Sequence, residues 1–205
     1  LPETYFTVWS NIFFNQKIKG GSVFLVHGGS GGIGSTAIQI GAAMGLRVFA
    51  TAGSADSCTY CEGLGAHRSI NFNEEDFVPI LREFGGANII LDIIGGEYVA
   101  RNIKAAHADA KIIQLAFNFG SKIEIDLMPV MLKRLTLTGS TLRSRSDDFK
   151  SEVASELTRT VWPLFGSSPP KLRTTTFAHF DLADADKAHT LMESGSKRGK
   201  ILLTI

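Results

Sequence analysis

The chain has 205 residues, of which 44% are hydrophobic, 20% are charged and 21 are glycine. This composition is that of a packed globular domain, and it excludes disordered, collagen-like and disulfide-framework proteins. The 21 basic residues nearly cancel the 20 acidic ones, for a formal net charge of +1, and no apolar run reaches the roughly 18 residues of a membrane span. The sequence therefore predicts no nucleic-acid partner and no membrane partner, and it favours a small-molecule ligand.

Strand-like apolar runs alternate with helical segments along most of the chain. Strands are predicted at residues 22–27, 47–51, 68–70, 88–94 and 111–117, and helices at residues 35–44, 55–64, 74–84 and 98–106. A β-rich stretch at 135–142, an amphipathic helix at 147–164, a strand at 173–178, a helix at 181–192 and a closing strand at 200–205 follow. Because such alternation forms parallel sheets covered on both faces, the sequence predicts an α/β fold: a doubly wound parallel sheet of the Rossmann type, with strand order 3-2-1-4-5-6.

A glycine-rich loop separates the first predicted strand from the helix that follows it. Residues 28–34 (GGSGGIG) contain the spacing G-x-G-x-x-G at Gly29, Gly31 and Gly34. In a dinucleotide-binding unit the first glycine permits a tight turn, the second lets the backbone approach a pyrophosphate, and the third lets the helix pack against the strand. With a strand before it and a helix after it, the loop predicts a dinucleotide site rather than a plain glycine turn. It is not a P-loop, because no Lys-Ser or Lys-Thr pair follows Gly34.

The end of the second predicted strand bears on the choice between NAD and NADP. An acidic side chain there would hold the ribose 2′-hydroxyl of NAD and repel the 2′-phosphate of NADP. The strand ends in residues 50–54 (ATAGS), and the first carboxylate after it is Asp56. No arginine or lysine follows until Arg68, so Ser54, Ser57 and backbone N–H groups are the nearby donors. The sequence therefore favours NADP(H) over NAD(H) without demanding it.

The cysteines and histidines predict no metal site. Cys58 and Cys61 have the C-x-x-C spacing of a redox dithiol or of half a zinc site, but no second pair exists, which favours two packed helix cysteines. The five histidines lie in separate segments without zinc-ligand spacing. His27, at the end of the first strand, is predicted to be a hydrogen-bonded structural histidine rather than a group that acts beside the cofactor. The low cysteine content favours a reducing, cytoplasmic location.

Two short basic clusters, at residues 143–145 and 197–200, are interpreted as solvated surface. The second one precedes the last strand and could also face a cofactor phosphate. Neither has the interleaved aromatic residues of a nucleic-acid site.

Several short motifs resemble the zinc-independent quinone oxidoreductases of the medium-chain dehydrogenase superfamily. They are residues 26–34 (VHGGSGGIG), 1–3 (LPE), 52–54 (AGS), 64–66 (LGA) and 92–96 (DIIGG). Residues 137–143 (LTGSTLR) and 199–203 (GKILL) are similar to the branch typified by p53-inducible quinone oxidoreductase. The resemblance covers nearly the whole chain in order. It implies an NADPH-dependent reductase of quinones or related electron-poor carbonyl compounds, without zinc, that forms a homodimer.

The resemblance also implies a division of the chain. Residues 1–170 would form the Rossmann domain that binds NAD(P), residues 171–198 a return segment that packs on the catalytic domain, and residues 199–205 the last strand of the Rossmann sheet. Members of the family carry an N-terminal GroES-like catalytic domain, and none of it is in this sequence. We therefore expect the chain to be the cofactor-binding part of a longer protein, with the substrate specificity encoded elsewhere.

The resemblance assigns cofactor-binding positions and no catalytic residue. The glycine loop corresponds to the pyrophosphate site, residues 53–57 and 72 to the adenosine side, and the remaining positions to the nicotinamide side. The full set is Thr7, Gly29, Ser30, Gly31, Gly32, Ile33, Gly34, Gly53, Ser54, Ser57, Phe72, Ile94, Gly95, Phe117 and Asn118. Ser57 and Phe72 depart from the family pattern, because they stand where the family often has a lysine and a tyrosine that serve the adenosine phosphate or adenine.

Three functions stay open on the sequence alone. The first is reduction of a quinone or related compound by NADPH. The second is a Rossmann module that holds a nucleotide and catalyses nothing, and the third is an enone or alkenal reductase of the same superfamily, which would share this domain. The β-rich stretch at 135–142 corresponds to the sheet edge through which the family pairs, so we expect a homodimer.

Overall fold

The computed structural model describes residues 2–16, 18–174, 176–194 and 198–205. Its helices are α1 (Pro2–Ile12), α2 (Gly32–Ala43), α3 (Ala55–Gly63), α4 (Phe77–Glu83), α5 (Tyr98–Ala105), α6 (Met128–Leu132), α7 (Asp147–Thr160) and α8 (Ala185–Glu193). Its strands are β1 (Val23–Val26), β2 (Arg47–Ala52), β3 (Arg68–Asn71), β4 (Ala87–Asp92), β5 (Ala106–Gln114), β6 (Thr136–Gly139), β7 (Thr176–Asp181) and β8 (Lys200–Thr204). Short 3-10 helices at Trp162–Phe165 and Leu182–Asp184 follow α7 and precede α8.

Strands β1 to β6 form one parallel sheet in the order β3-β2-β1-β4-β5-β6. Val26 of β1 is in register with Ala50 of β2 on one side and with Leu91 of β4 on the other. The order of the strands reverses between β1 and β4, and such a reversal opens a crevice at the carboxyl ends of the strands. The predicted doubly wound Rossmann sheet and its strand order are therefore confirmed.

The central strand β1 has to be covered on both faces. All four of its residues are buried. Phe24 and Val26 pack in the core that includes residues of α1, α2 and α7, whereas Val23 and Leu25 pack with residues of α4 and α5. Successive side chains of a strand point to opposite faces, so a continuous apolar run needs a helix layer on each side.

Helix α1 is held against α7 by a polar contact and against the 3-10 helix that follows α7 by aromatic packing. The indole Nε1 of Trp9 donates a hydrogen bond of 2.8 Å to Oε2 of Glu156. The ring of Tyr5 meets that of Trp162 edge to face, with 5.3 Å between the centroids, and burial raises the pKa of Tyr5 to about 12. These contacts fix the position of Thr7, which lies on the same helix.

Local hydrogen bonds and one proline move several element ends away from the predicted residues. Helix α4 begins at Phe77 rather than at residue 74, because the side chain of Asp76 accepts a bond from the N–H of Val78 and caps the helix. Helix α7 ends at Thr160, before the proline at 163, which lies in a 3-10 turn that begins at Trp162 instead of continuing the α-helix. Strand β5 already begins at Ala106, inside the segment that was predicted to close the preceding helix.

The assignment of residues 199–205 to the last strand of the Rossmann sheet is wrong. Strand β8 pairs in parallel with β7 in a separate two-stranded sheet. The residue just before β8 is hydrogen-bonded to the glycine loop, because the N–H of Gly199 donates to the carbonyl of Ser30 at 2.9 Å. Since this hydrogen bond holds the start of β8 at the carboxyl end of the large sheet, β8 lies outside that sheet. The division at residue 170 and the role of residues 171–198 stay predictions.

Candidate cofactor-binding site

The glycine loop makes a tight turn between β1 and α2. Gly28 has φ +67, a left-handed conformation that glycine adopts without strain. The N–H of Gly29 donates to the carbonyl of Thr51 in β2 at 2.9 Å, and that of Gly31 donates to the carbonyl of Gly28 at 3.0 Å. These bonds hold the loop across the ends of two neighbouring strands.

The three glycines of the G-x-G-x-x-G spacing face different surroundings. A Cβ on Gly29 would lie 2.8 Å from Cβ of Ala50, and a Cβ on Gly34 would overlap the carbonyl of Gly28, so these two are required by packing within the protein. A Cβ on Gly31 would have one near neighbour, the carbonyl oxygen of Gly28 at 3.3 Å. The open side of Gly31 leaves room for a ligand to approach the backbone, and its contact with a pyrophosphate stays a prediction.

The amino end of α2 has the properties of an anion site. Its N-cap is Gly31, and within the described residues no side chain accepts a hydrogen bond there, which leaves N–H groups for a ligand. Lys200 lies over this end: a Cβ on Gly32 would be 2.6 Å from Cε of Lys200 and 2.7 Å from its Nζ. A cation at the positive end of a helix is unfavourable by itself, so an anion between the two stabilises both. A pyrophosphate group fits this arrangement.

The basic cluster at 197–200 is thus more than solvated surface. Its Lys200 reaches the glycine loop, whereas Lys197 lies outside the described residues. The sequence contains the signal only in weak form, as a lysine just before the last strand, because nothing local indicates that the strand ends against residues 30–32.

The predicted adenosine-side residues come together at the amino end of α3. Ser54 is the N-cap, and its Oγ accepts from the N–H of Ser57 at 3.2 Å and donates to the hydroxyl of Ser57 at 3.0 Å. The ring of Phe72 lies on Gly53, where a Cβ would be 2.9 Å from its Cζ atom. Phe72 is 42% exposed, so an aromatic surface stands beside two hydroxyls at the capped amino end of α3.

Arg198 belongs to the basic cluster that could face a cofactor phosphate, but the sequence does not predict its position beside α3. Its Nη2 lies 2.9 Å from Oδ2 of Asp56, in the first turn of α3. Its Nε is buried, and the described residues offer it no hydrogen-bond partner. The sequence offers no cation near Ser54 before Arg68, but the fold supplies one from far along the chain. No local pattern could have indicated this contact.

The predicted nicotinamide-side residues lie in two loops that hydrogen-bond to each other. The N–H of Asn118 donates to the carbonyl of Ile93 at 3.4 Å, and that of Phe119 donates to the carbonyl of Ile94 at 2.8 Å. Gly95 has φ +70, and a Cβ there would lie 2.8 Å from the ring of Phe117. The structure therefore places Ile94, Gly95, Phe117 and Asn118 side by side at the ends of β4 and β5.

Thr7 lines a neighbouring cavity of about 590 Å³ rather than the glycine loop. Its hydroxyl donates to Oε1 of Glu3 at 3.3 Å. The cavity is also lined by Leu115, whose N–H donates to the carbonyl of Asp92 at 2.8 Å, so it adjoins the β4–β5 side of the site. The other lining residues are Glu3, Ser140, Thr141, Leu142, Arg143 and Lys150. Contact of Thr7, and of the other assigned residues, with a cofactor stays a prediction.

Cys58 and Cys61 are free thiols. Burial raises the pKa of the Cys61 thiol to about 12 and also raises that of Cys58, and a protonated thiol is a poor nucleophile. Among the described residues, no group of three or more His, Cys, Asp or Glu side chains is arranged to hold a metal ion. Over the same ranges, every helix is too short or too polar to cross a membrane.

The chain is similar to proteins of one family. A profile of the family described as zinc-binding dehydrogenase matches residues 32–159. The quinone oxidoreductase of Rattus norvegicus is 27% identical over 209 residues, which cover 98% of this chain and 60% of the rat protein. The chain therefore spans about 60% of the length of such relatives.

Solved structures of the same kind share the fold. The Escherichia coli quinone oxidoreductase complexed with NADPH has a TM-score of 0.81 and 24% identity, over 98% of this chain and 63% of that one. A structure described as an NAD-dependent alcohol dehydrogenase has a TM-score of 0.82 and 28% identity, over 100% of this chain and 57% of that one. Together with the matched profile and the Rossmann sheet, these likenesses confirm the predicted superfamily: the chain belongs to the zinc-binding dehydrogenase family and corresponds to the cofactor-binding part of the medium-chain dehydrogenases.

Proposed function

We propose that the protein is an NADPH-dependent oxidoreductase that transfers hydride to a quinone or a related electron-poor carbonyl compound, and that the described chain supplies its cofactor domain. The observation that carries the proposal is the anion site at the amino end of α2, where Gly31 has an open side and the ammonium group of Lys200 lies beside Gly32. The printed names of relatives such as the rat quinone oxidoreductase support the substrate class.

The preference for NADPH is supported by the surroundings of Ser54. The hydroxyls of Ser54 and Ser57 and the amino end of α3 are donors for a 2′-phosphate, and Arg198 adds a positive charge there. The nearest carboxylate, Asp56, is already paired with Arg198. This pairing reduces the repulsion that a free carboxylate would exert on a phosphate. The exposed ring of Phe72 would then serve as a stacking surface for adenine.

The residues of this chain would bind NADPH and orient it. Bound NADPH supplies the hydride, and the reduction chemistry is that of the cofactor. The glycine loop and Lys200 hold the pyrophosphate, and the paired loops at residues 93–96 and 117–120 fix the position of the nicotinamide end. A quinone that accepts hydride can take its proton from water, so the proposal assigns no proton donor, and no metal ion, to this chain.

The proposal includes a homodimer and a cytoplasmic location. Strand β6 is at the edge of the large sheet, with Leu137 40% exposed, and an edge strand of this kind is usually paired or covered. The free thiols of Cys58 and Cys61 support a reducing compartment. Sedimentation equilibrium over micromolar concentrations tests the dimer, and a monomer throughout would remove it.

Calorimetric titration of the chain with NADPH, and separately with NADH at the same salt concentration, tests the cofactor assignment. We expect NADPH to bind at least about tenfold more tightly, a difference near 1.4 kcal/mol. Equal affinities for NADPH and NADH would support a dinucleotide site but contradict the preference for NADPH. Failure of both to bind would contradict the proposal for this chain.

Activity separates the proposed function from its alternatives. We expect the described chain to bind the cofactor without turnover, and the protein that also carries a substrate domain to oxidise NADPH with a simple quinone. Turnover with enones but not with quinones would identify an enone reductase instead. Binding without turnover by the longer protein would favour a nucleotide-binding module.

A further inference from the structure

A continuous chain of hydrogen bonds crosses the core between the glycine loop and the loop that follows β4. Its four side chains are Thr51, His27, Asn102 and Asp92, and each is at most 1% exposed. Thr51 meets Nδ1 of His27 at 3.0 Å, Nε2 of His27 meets Oδ1 of Asn102 at 2.7 Å, and Nδ2 of Asn102 donates to Oδ2 of Asp92 at 2.9 Å. Nothing in the proposed binding of the cofactor uses these groups directly.

The Asp92 end sets the direction of every bond in this chain. Oδ1 of Asp92 accepts from the N–H groups of Ile94 at 2.6 Å and Gly95 at 3.1 Å. A carboxylate only accepts, so Asn102 must turn its NH₂ group toward Asp92 and its carbonyl oxygen toward His27. Nε2 of His27 therefore carries the proton.

At the Thr51 end, the hydrogen bonds run in the same donor-to-acceptor direction. Burial lowers the pKa of His27, so the ring is neutral and its Nδ1 has no proton. The hydroxyl of Thr51 then donates to Nδ1, and its oxygen accepts from the N–H of Gly28 at 3.3 Å. One tautomer of His27 and one orientation of Asn102 satisfy all the partners.

Both ends of the chain are backbone groups of loops that carry assigned cofactor positions. Gly28 opens the glycine loop, and Ile94 and Gly95 belong to the nicotinamide side. The two loops also touch, because a Cβ on Gly28 would lie 2.8 Å from Cδ1 of Ile93. A change in the direction of the hydrogen bonds at one loop must therefore be transmitted to the other.

We propose that His27 is a positioning residue: through Thr51, Asn102 and Asp92 it locks the glycine loop and the loop after β4 into one relative arrangement. The lock depends on the Nε2–H tautomer. A histidine that only fills space in the core would tolerate either tautomer, and its hydrogen-bond partners would have no effect on ligand affinity.

The first test reads the tautomer directly. In Asp92→Asn, the amide oxygen at position 92 can still accept from Ile94 and Gly95, but its NH₂ group then faces that of Asn102. Asn102 must turn over and present its NH₂ group to His27, which moves the ring proton from Nε2 to Nδ1.

Two-bond ¹H–¹⁵N NMR of histidine-labelled chain distinguishes the two tautomers, and the His27 signals are identified by their loss in His27→Gln. We expect Nε2–H in the wild-type chain and Nδ1–H in Asp92→Asn. An unchanged tautomer in the variant, or Nδ1–H in the wild type, would overturn the proposal.

The second test rests on the proposed function and reads cofactor affinity. Thr51→Val keeps the volume of the side chain but removes the hydroxyl that joins Gly28 to His27, whereas Thr51→Ser keeps it. We expect Thr51→Val to weaken the binding of NADPH and NADH by the same factor, about fivefold, and Thr51→Ser to bind like the wild type. Thr158→Val, at an exposed position of helix α7, is the matched control.

The two tests fail separately from the proposed function. Equal affinities for Thr51→Val and Thr51→Ser in a chain that binds NADPH would contradict the lock and leave the proposed function intact. A wild-type chain that binds neither nucleotide would contradict the proposed function, and the tautomer measurement would then decide whether the directional chain of hydrogen bonds exists.

Discussion

Strands β1 and β8 have similarly apolar sequences but opposite surroundings. Residues 23–26 (VFLV) are all buried in the centre of the large sheet. In β8, by contrast, Leu202 is 41% exposed and Leu203 is 42% exposed. These two residues point to opposite faces of the strand, so the described residues cover neither face of β8 completely. An apolar run therefore predicts a strand, but the elements that cover the strand decide how much its burial contributes to the free energy of folding.

The largest expected effect comes from truncating one leucine in each strand. Leu25 is fully buried, so Leu25→Ala removes apolar contacts and leaves a cavity, which should lower the free energy of unfolding by about 3 kcal/mol. Leu202→Ala should lower it by less than about 1 kcal/mol, since much of that side chain is already in water. Urea unfolding of both variants measures the difference. Similar losses of stability in the two variants would contradict the claim that burial of β1 contributes more than burial of β8.

A second difference should appear in the dependence of stability on pH. Burial lowers the pKa of His27 from its ordinary value of 6.5, so below pH 6.5 the unfolded chain binds a proton that the folded protein does not. The contribution of His27 is complete above pH 6.5 and is lost as the pH falls, at up to about 1.4 kcal/mol per pH unit. Between about pH 6.5 and pH 5 this amounts to at most about 2 kcal/mol.

Urea unfolding of the wild-type chain and of His27→Gln over this pH range isolates that contribution. Glutamine does not titrate, so we expect a shallower pH dependence in the variant, whatever its stability at pH 7.5. Parallel pH profiles would show that His27 is not the group responsible.

The smallest expected effect is on NADPH affinity, and it concerns a residue of β8 that lies beside the loop after β1. Lys200 begins β8 but reaches the glycine loop after β1. If it contacts the pyrophosphate, Lys200→Met should weaken NADPH binding by about tenfold, near 1.4 kcal/mol, with little change in stability. Lys187→Met, at an exposed position of helix α8, is the matched control, and calorimetry measures both. Equal affinities for the two variants would separate β8 from the cofactor site.

The parts of the fold that the sequence predicted are those with local patterns. The order of the large sheet follows from alternating strands and helices with a glycine loop after the first strand, and each of these signals lies within a few residues. The residues around Ser54 and around Ile94 come together for the same reason, because each group follows the end of a parallel strand.

The parts that the sequence could not predict depend on contacts between distant segments. The pairing of β8 with β7, the approach of Lys200 to Gly32 and the ion pair of Arg198 with Asp56 join residues that no short pattern connects. His27 was predicted to be a hydrogen-bonded structural histidine, and its bonds confirm that it is fully hydrogen-bonded. The direction of the whole chain of bonds depends on Asn102 and Asp92, which only the fold brings beside it.

The hydrogen bond from Gly199 to Ser30 has a consequence for biosynthesis. A ribosome makes the glycine loop early and residues 198–200 late, so a nascent chain can form the central strands of the large sheet long before Lys200 and Arg198 arrive. The proposed nucleotide site is therefore completed only after these late residues are made, and a partly synthesised chain that lacks residues 198–200 should bind the cofactor more weakly.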